Sequence, residues 1–236
     1  MYDLVLKNCN VVNENVVSEV DIGINNERIE KIAGNISSEA RNEIDLQGKL
    51  LIPGLIDDQV HFREPGLTHK GEIATESKAA IAGGVTSYFE MPNVNPNTST
   101  IENLEKKFDI AANKSYANYS FYLGATNDNI EEIKKSDPNA SCGLKVFMGA
   151  STGDLLVNKY ESLEKIFEHC PTNIVTHCED PKRLVENENI FQEKYGDQLH
   201  AAHHAVIRDE ECCYLSSSLA VGLAKRFGAN LHVLHL

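Results

Sequence analysis

Apolar and polar positions along this chain follow two successive rhythms. Through residues 1–49, short runs alternate between apolar and polar side chains: YDLVLKNCNVV, SEVDIGINNERIEKIAG and NEIDLQGK. A period of two turns one face of an extended strand toward a core, and the Asn-Glu, Asn-Asn and Gly interruptions are turn formers. Residues 1–49 therefore predict a small all-β unit. From Leu50 the pattern changes to apolar strand, polar loop and helix. Strands are predicted at 50–61, 85–91, 117–124, 142–149, 173–179 and 230–236. Helices are predicted over EIATESKAAIAGG, STIENLEKKFDIAANK, NDNIEEIKKSD and KYESLEKIFEHC. Each strand-plus-helix unit takes about 25–32 residues, the spacing of a parallel β/α repeat. The connection after the fifth strand is longer. Its first half, DPKRLVENENIFQEKYGDQLHAA, reads as an insertion over the mouth of the site. Its second half, HHAVIRDEECCYLSSSLAVGLAKRFG, reads as one long helix ending at Gly228.

Six strands alternating with helices predict a (β/α)8 barrel or a doubly wound sheet. The polar residues favour the barrel, because His61, Asn93, Gly149 and His177 fall at or just past the C-terminal ends of separate strands, where barrel enzymes gather their chemistry. The expected architecture is α/β, a TIM-type barrel over residues 50–236 preceded by a small β portion over 1–49. The barrel is expected to be incomplete, with about six strands. Leu236 falls inside the sixth strand, and a barrel without its last strands has an open edge, so a longer protein is expected.

Composition narrows the partners. A net charge of −13 disfavours nucleic acid and anionic membranes, though one local arginine is enough to hold an anionic substrate. The chain opens on MYDLVLKN without a signal peptide, and no apolar run approaches the ~20 residues of a membrane span. Its six cysteines form no C-x-x-C pair, which fits reduced thiols and a cytoplasmic location. Cys178 reads as a packed thiol.

Chemistry concentrates in four segments. In GLIDDQVHFREPG, residues 54–66, alternation puts Asp57, Gln59, His61 and Arg63 on one face of a strand end. An imidazole followed by a guanidinium suits a metal beside an anion site. Asn93, in EMPNVNP, is either a turn former or, with Arg63, part of a grip on a carboxylate. Lys145 lies mid-strand in GLKVFMG, where a bare ammonium is costly. Three solutions stand open: an ion pair, a neutral catalytic amine, or a carbamate formed with carbon dioxide. His177, in NIVTHCED, and His232 and His235, in LHVLHL, are each either core residues or metal ligands. His235 is nearer the strand end and so the better ligand candidate. Zinc favours imidazole and carboxylate oxygen, and a catalytic zinc keeps an open position.

Taken together, these segments resemble the dihydroorotases of the cyclic amidohydrolase superfamily, over essentially the whole chain. HFREPG with MPN is the more specific part; GLKVFMGASTG, VTHCED and LHVLHL are shared with hydantoinases and allantoinases. The resemblance implies a metal-dependent hydrolase barrel with a small β-sandwich built partly from residues 1–49. It implies one or two Zn2+ ions held by His61, carboxylated Lys145, His177 and His235, and a substrate carboxylate held by Arg63 and Asn93. Its activity is the reversible hydrolysis of dihydroorotate to N-carbamoyl-L-aspartate in pyrimidine biosynthesis. The expected partners are a small carboxylate-bearing substrate and a second copy of the chain in a homodimer.

The sequence departs from the family at two points. Gln59 stands where the family usually has a histidine ligand, and an amide is a weak ligand for zinc. The family's proton-shuttling aspartate is expected beyond Leu236, so residues 1–236 alone are expected to be inactive. Two alternatives remain: another cyclic amidase acting on hydantoins or allantoin, and a non-catalytic barrel, which Gln59 motivates.

Overall fold

A computed structural model describes every residue of the chain except Ala150 and Thr152, which lie within the GLKVFMGASTG segment. The chain divides into two compact units, Met1–Leu55 and Ile56–Leu236.

The first unit is one mixed sheet. Strand β1 (Tyr2–Asn13) pairs antiparallel with β2 (Val16–Asn25), which pairs antiparallel with β3 (Arg28–Ala33). On its other side β1 runs parallel to β4 (Ala40–Asp45) and to the short β5 (Leu50–Leu51). The two hairpins turn at Glu14-Asn15 and Asn26-Glu27, all four with positive φ. Two-residue loops of that kind match the twist of the flanking strands. Val5, Cys9 and Ile22 are buried within this unit, as is Asp21, which accepts from Lys7 at 2.7 Å and from the backbone of Asn8 and Ile36. Where the family resemblance implied a β-sandwich, these residues supply a single sheet.

The second unit is a parallel sheet of six strands among the described residues, in the order β11-β10-β9-β8-β7-β6. The strands are β6 (Leu55–Val60), β7 (Val85–Glu90), β8 (Asn118–Gly124), β9 (Gly143–Phe147), β10 (Ile174–His177) and β11 (Leu231–Val233). Between them lie α1 (Ile73–Ala82), α2 (Ile101–Lys114), α3 (Ile130–Ile133), α4 (Tyr160–His169), α5 (Pro181–Tyr195), α6 (His204–Ile207) and α7 (Glu210–Phe227). Sequential order across the sheet is the barrel pattern, and it curls as a half-barrel. One core packs Leu144 and Val146 of β9 and Ile174 of β10 against α4 and α7. A second gathers Phe62, Tyr88 and Phe121 with Ile73 and Leu104.

Helix ends follow local chemistry. Thr100 caps α2 by accepting from the Asn103 N–H, Asp180 caps α5 from Arg183 with Pro181 at the first position, and Asp209 caps α7 from Cys212. Gly228, at φ 70°, closes α7 in the left-handed conformation expected of it.

Two expectations are corrected. The strand predicted over 50–61 is two strands, β5 in the first unit and β6 in the second. Pro53 has no N–H to donate and, with Gly54, interrupts the ladder. Nor is this run a buried strand: Leu50, Ile52, Leu55 and Ile56 are exposed, β6 being an edge of its sheet. The long helix predicted from His203 is broken at Arg208–Asp209, because the Asp209 side chain caps a new helix and ends the old one. The stretch from Asp180, predicted as an insertion, contains the helix α5, whose Leu184 packs in a separate cluster with Ile207 and Cys212.

Candidate active site

His61, Arg63, Asn93, Lys145, His177 and His235 all lie on or just beyond strands of the parallel sheet, and two braces hold their segments. The first joins HFREPG to MPNVNP. The Met91 N–H donates to Val60 O at 3.0 Å and the Asn95 N–H to Pro65 O at 3.0 Å. Gly66, at φ 81°, lies so close to Asn95 that an added Cβ would stand 2.0 Å from its carbonyl oxygen. Only glycine allows that approach. Beneath both segments Glu90 of β7 accepts from the Arg63 N–H at 3.0 Å and faces Lys107 of α2 at 3.1 Å, both side chains fully buried. Lys107 donates onward to Met91 O at 3.0 Å and lies 5.0 Å from the centre of the Phe121 ring. Burial pushes the Glu90 carboxyl up and the Lys107 amine down, and each opposes the shift of the other.

On this brace His61 Nδ1 meets the side-chain oxygen of Asn93 at 2.9 Å. A carbonyl oxygen only accepts, so Nδ1 carries the ring proton and Nε2 keeps its lone pair. The imidazole is open to solvent on one side. Even so, the protein around it, then the positive charge of Arg63, pushes its pKa down to about 4, so it is neutral at pH 7. Arg63 adopts φ 71°, unusual for a non-glycine residue and held by the Glu90 contact. Its guanidinium makes one long contact, 3.4 Å, to Asn93 O, and among the described residues meets no carboxylate. A guanidinium so placed beside a neutral imidazole is a ready anion site.

Lys145 occupies the centre of β9, paired in register with Gly124 of β8 and Val175 of β10. Its side chain is 1 % exposed and Nζ has no hydrogen-bond partner among the described residues. The ring of Phe147 lies 4.7 Å away. Burial lowers the amine to about 7. Of the three solutions left open by the sequence, an ion pair is therefore absent among the described residues.

His177 ends β10 and His235 follows β11. His177 Nδ1 stands 3.3 Å from His235 Nε2, and His177 Nε2 stands 2.7 Å from Glu179 Oε2. Burial, then the neighbouring His177 and Lys145, pushes His235 down. Glu179 is pushed down to about 2 by its hydrogen bond with His177 and then by Arg208, whose Nη1 lies 2.6 and 2.5 Å from the two carboxylate oxygens. The charge of Lys145 contributes to the lowering of both His61 and His235. His232 instead points at Asp58, 3.4 Å away, while Asp57 accepts from the Gln59 backbone N–H at 3.1 Å. Asp57 and Asp58, the acidic neighbours of Gln59, are thus engaged elsewhere.

The donor set fits a metal and a lysine carbamate. Two imidazole nitrogens sharing a tetrahedral zinc, with bonds of about 2.0–2.1 Å, stand roughly 3.3–3.4 Å apart. His177 and His235 have that separation already. The orphaned Lys145 amine is the group a carbamate would satisfy. Among the described residues no three His, Cys, Asp and Glu side chains converge, so the candidate set is the His177–His235 pair, with His61 and Lys145 on or just past other strands of the same sheet.

Sequence reasoning missed Glu90, Lys107, Glu179 and Arg208. A charged residue at each of positions 90 and 107, inside otherwise apolar patterns, was the available signal for the first pair. For the second, Glu179 lies two residues past His177, the spacing that shares a face.

The fold and this constellation define the class. The chain belongs to the cyclic amidohydrolase superfamily. Residues 48–147 match the "Dihydro-orotase-like" family. A dihydroorotase of Methanosphaera stadtmanae is 30% identical over 243 aligned residues, covering 100% of this chain and 54% of the relative. An allantoinase of Desulfitobacterium hafniense is 39% identical over 144 residues, covering 61% of this chain and 31% of the relative. Among solved structures, the L-hydantoinase (dihydropyrimidinase) from Arthrobacter aurescens superposes with a TM-score of 0.94 at 27% identity, covering 100% of this chain and 53% of that one. The chain thus spans about half the length of the full-length relatives it matches. No helix among the described residues is long and apolar enough to cross a membrane.

Proposed function

We propose that these residues are the metal- and carboxylate-binding part of a dihydroorotase, which interconverts dihydroorotate and N-carbamoyl-L-aspartate in pyrimidine biosynthesis. The observation that carries the reading is Lys145: a buried amine with no hydrogen-bond partner among the described residues, its pKa lowered to about 7, on β9 beside the strand that ends in His177. Only a neutral amine adds to carbon dioxide. The nitrogen–carbon bond forms, the nitrogen loses one proton to solvent, and a carbamate with two donor oxygens results. His61, carboxylated Lys145, His177 and His235 would hold one or two zinc ions. Bound zinc supplies Lewis acidity and brings the pKa of a water toward ~7.

The chain's own residues do the rest. Arg63 binds the substrate carboxylate, and the Asn93 segment fixes the angle from which the ring meets His61. Holding the ring in one orientation converts a bimolecular encounter into reaction within one complex. The shared Glu90 brace keeps Arg63 and Asn93 at a constant spacing.

The test is ring opening of dihydroorotate by the full-length protein with zinc and bicarbonate. Turnover that depends on both, and is lost in Arg63→Ala, is the expected result; no turnover by folded, zinc-loaded protein would overturn the reading. A second reading is a cyclic amidase for allantoin or a hydantoin, favoured by the 39% identity to an allantoinase and the L-hydantoinase superposition. Ring opening of those compounds at rates unaffected by Arg63→Ala would establish it instead. Gln59→His separates the metal counts: a second equivalent of zinc bound by that variant, with one in the wild type, is expected.

A further inference from the structure

Glu179 and Arg208 have no part in the proposed metal or carboxylate binding, yet contacts tie both into the site. Glu179 is 9 % exposed. One of its oxygens lies 2.7 Å from His177 Nε2, and a single nitrogen of Arg208 spans both. Its backbone is wedged against Gly149, just beyond the strand that carries Lys145. A Cβ on Gly149 would stand 2.5 Å from Glu179 Cβ and 2.8 Å from its carbonyl oxygen. Met148 N–H donates to His177 O at 2.9 Å, tying the same two segments.

Arg208 is fixed as firmly from the other side. It is the single residue between the end of α6 and Asp209. Asp209 takes the Arg183 guanidinium of α5 through Nε at 2.8 Å and Nη2 at 2.5 Å. Asn187 of α5 donates to Ile207 O at 2.8 Å. The break in the predicted long helix is thus the point from which a guanidinium is delivered to Glu179.

We propose that Glu179 and Arg208 are positioning residues that fix the tautomer of His177, with its proton on Nε2 and its Nδ1 lone pair presented to a metal. A carboxylate bonded by a guanidinium accepts and does not donate, so the imidazole nitrogen facing it must bear the hydrogen. The neutral ring then has its lone pair on Nδ1, the nitrogen 3.3 Å from His235 Nε2. A carboxylate behind a ligating histidine orients the ring and raises its basicity, and its loss typically weakens metal binding 10–100-fold. The ligand geometry is thereby coupled to the packing of α5 and α7. The inference rests on the metal-centre reading above.

The test uses the full-length protein in two measurements. In zinc-free protein with nitrogen-15-labelled histidine, ring nitrogen shifts and couplings report the His177 tautomer at pH 7. Nε2–H in the wild type is expected, with a mixture in Glu179→Gln and Arg208→Met. Competition against a chromogenic chelator reports zinc affinity. A 10–100-fold loss in both variants, with partial recovery in Arg208→Lys, is expected while circular dichroism stays that of the wild type. A wild-type Nδ1–H tautomer would overturn the proposal alone, as would unchanged zinc affinity in the two variants. Failure of the wild type to bind zinc would overturn the metal-centre reading and the ligand role together. The wild-type tautomer needs no variant, so a variant that fails to fold does not block the test.

Discussion

At the scale of single residues, the site is a set of side chains kept from their ordinary partners. Among the described residues Lys145 has no acceptor and the Arg63 guanidinium no carboxylate, and His61 is neutral near the charge of Arg63. Each arrangement costs stability unless a ligand repairs it, and for a buried unsatisfied polar group the cost is about 1–3 kcal/mol. In protein stripped of metal, Lys145→Met should therefore gain about 1 kcal/mol, a rise of roughly 2–4 °C in a calorimetric melt for a chain of this size. An unchanged or lower midpoint would mean that the amine is satisfied in solution. These residues were legible in the sequence because each broke a local rule: a lysine inside an apolar strand, histidines at strand ends, an arginine before Pro-Gly. Arg208 was not, because its contact with Glu179 is made across 29 positions of chain.

At the scale of elements, the repeat of strand and helix was legible because burial on one face imposes a period, and the observed strands fall within the predicted ones. The errors came where one side chain overruled the period. Pro53 divides an apolar run into two strands, and Asp209 divides a helical run into two helices. Asp209 also offers a check by pH. Its contact with Arg183 holds its pKa at about 2, below its ordinary 3.8. The folded state thus favours the ionised form, and the stabilisation is full above the unfolded value and fades as pH falls from about 4 toward 2. Asp209→Asn should be less stable than the wild type at pH 6, and the gap in urea midpoint should narrow as the pH is lowered through that window. A gap that stayed constant would remove the carboxylate from the account of how α5 and α7 are joined.

At the scale of the whole molecule, the parallel sheet presents two edges, β6 and β11, and apolar side chains such as Leu55, Ile56 and Leu236 face solvent. A net charge of −13 at neutral pH, with a pI near 5.1, opposes self-association through such apolar side chains. Light scattering of the 236-residue chain should rise on approach to pH 5.1 and fall again with pH on the alkaline side; scattering independent of pH would rule out charge as the restraint. The Glu90–Lys107 pair carries a consequence of another kind. One carboxylate holds the Arg63 backbone and its lysine partner holds Met91 O, so the HFREPG and MPNVNP motifs share a single keel. An engineer who transplants the residue 61–66 loop from a hydantoin-cleaving relative would inherit a mismatch with residues 90–97. Exchanging residues 61–66 alone should therefore lower the melting midpoint more than exchanging residues 61–66, 90–97 and 107 together.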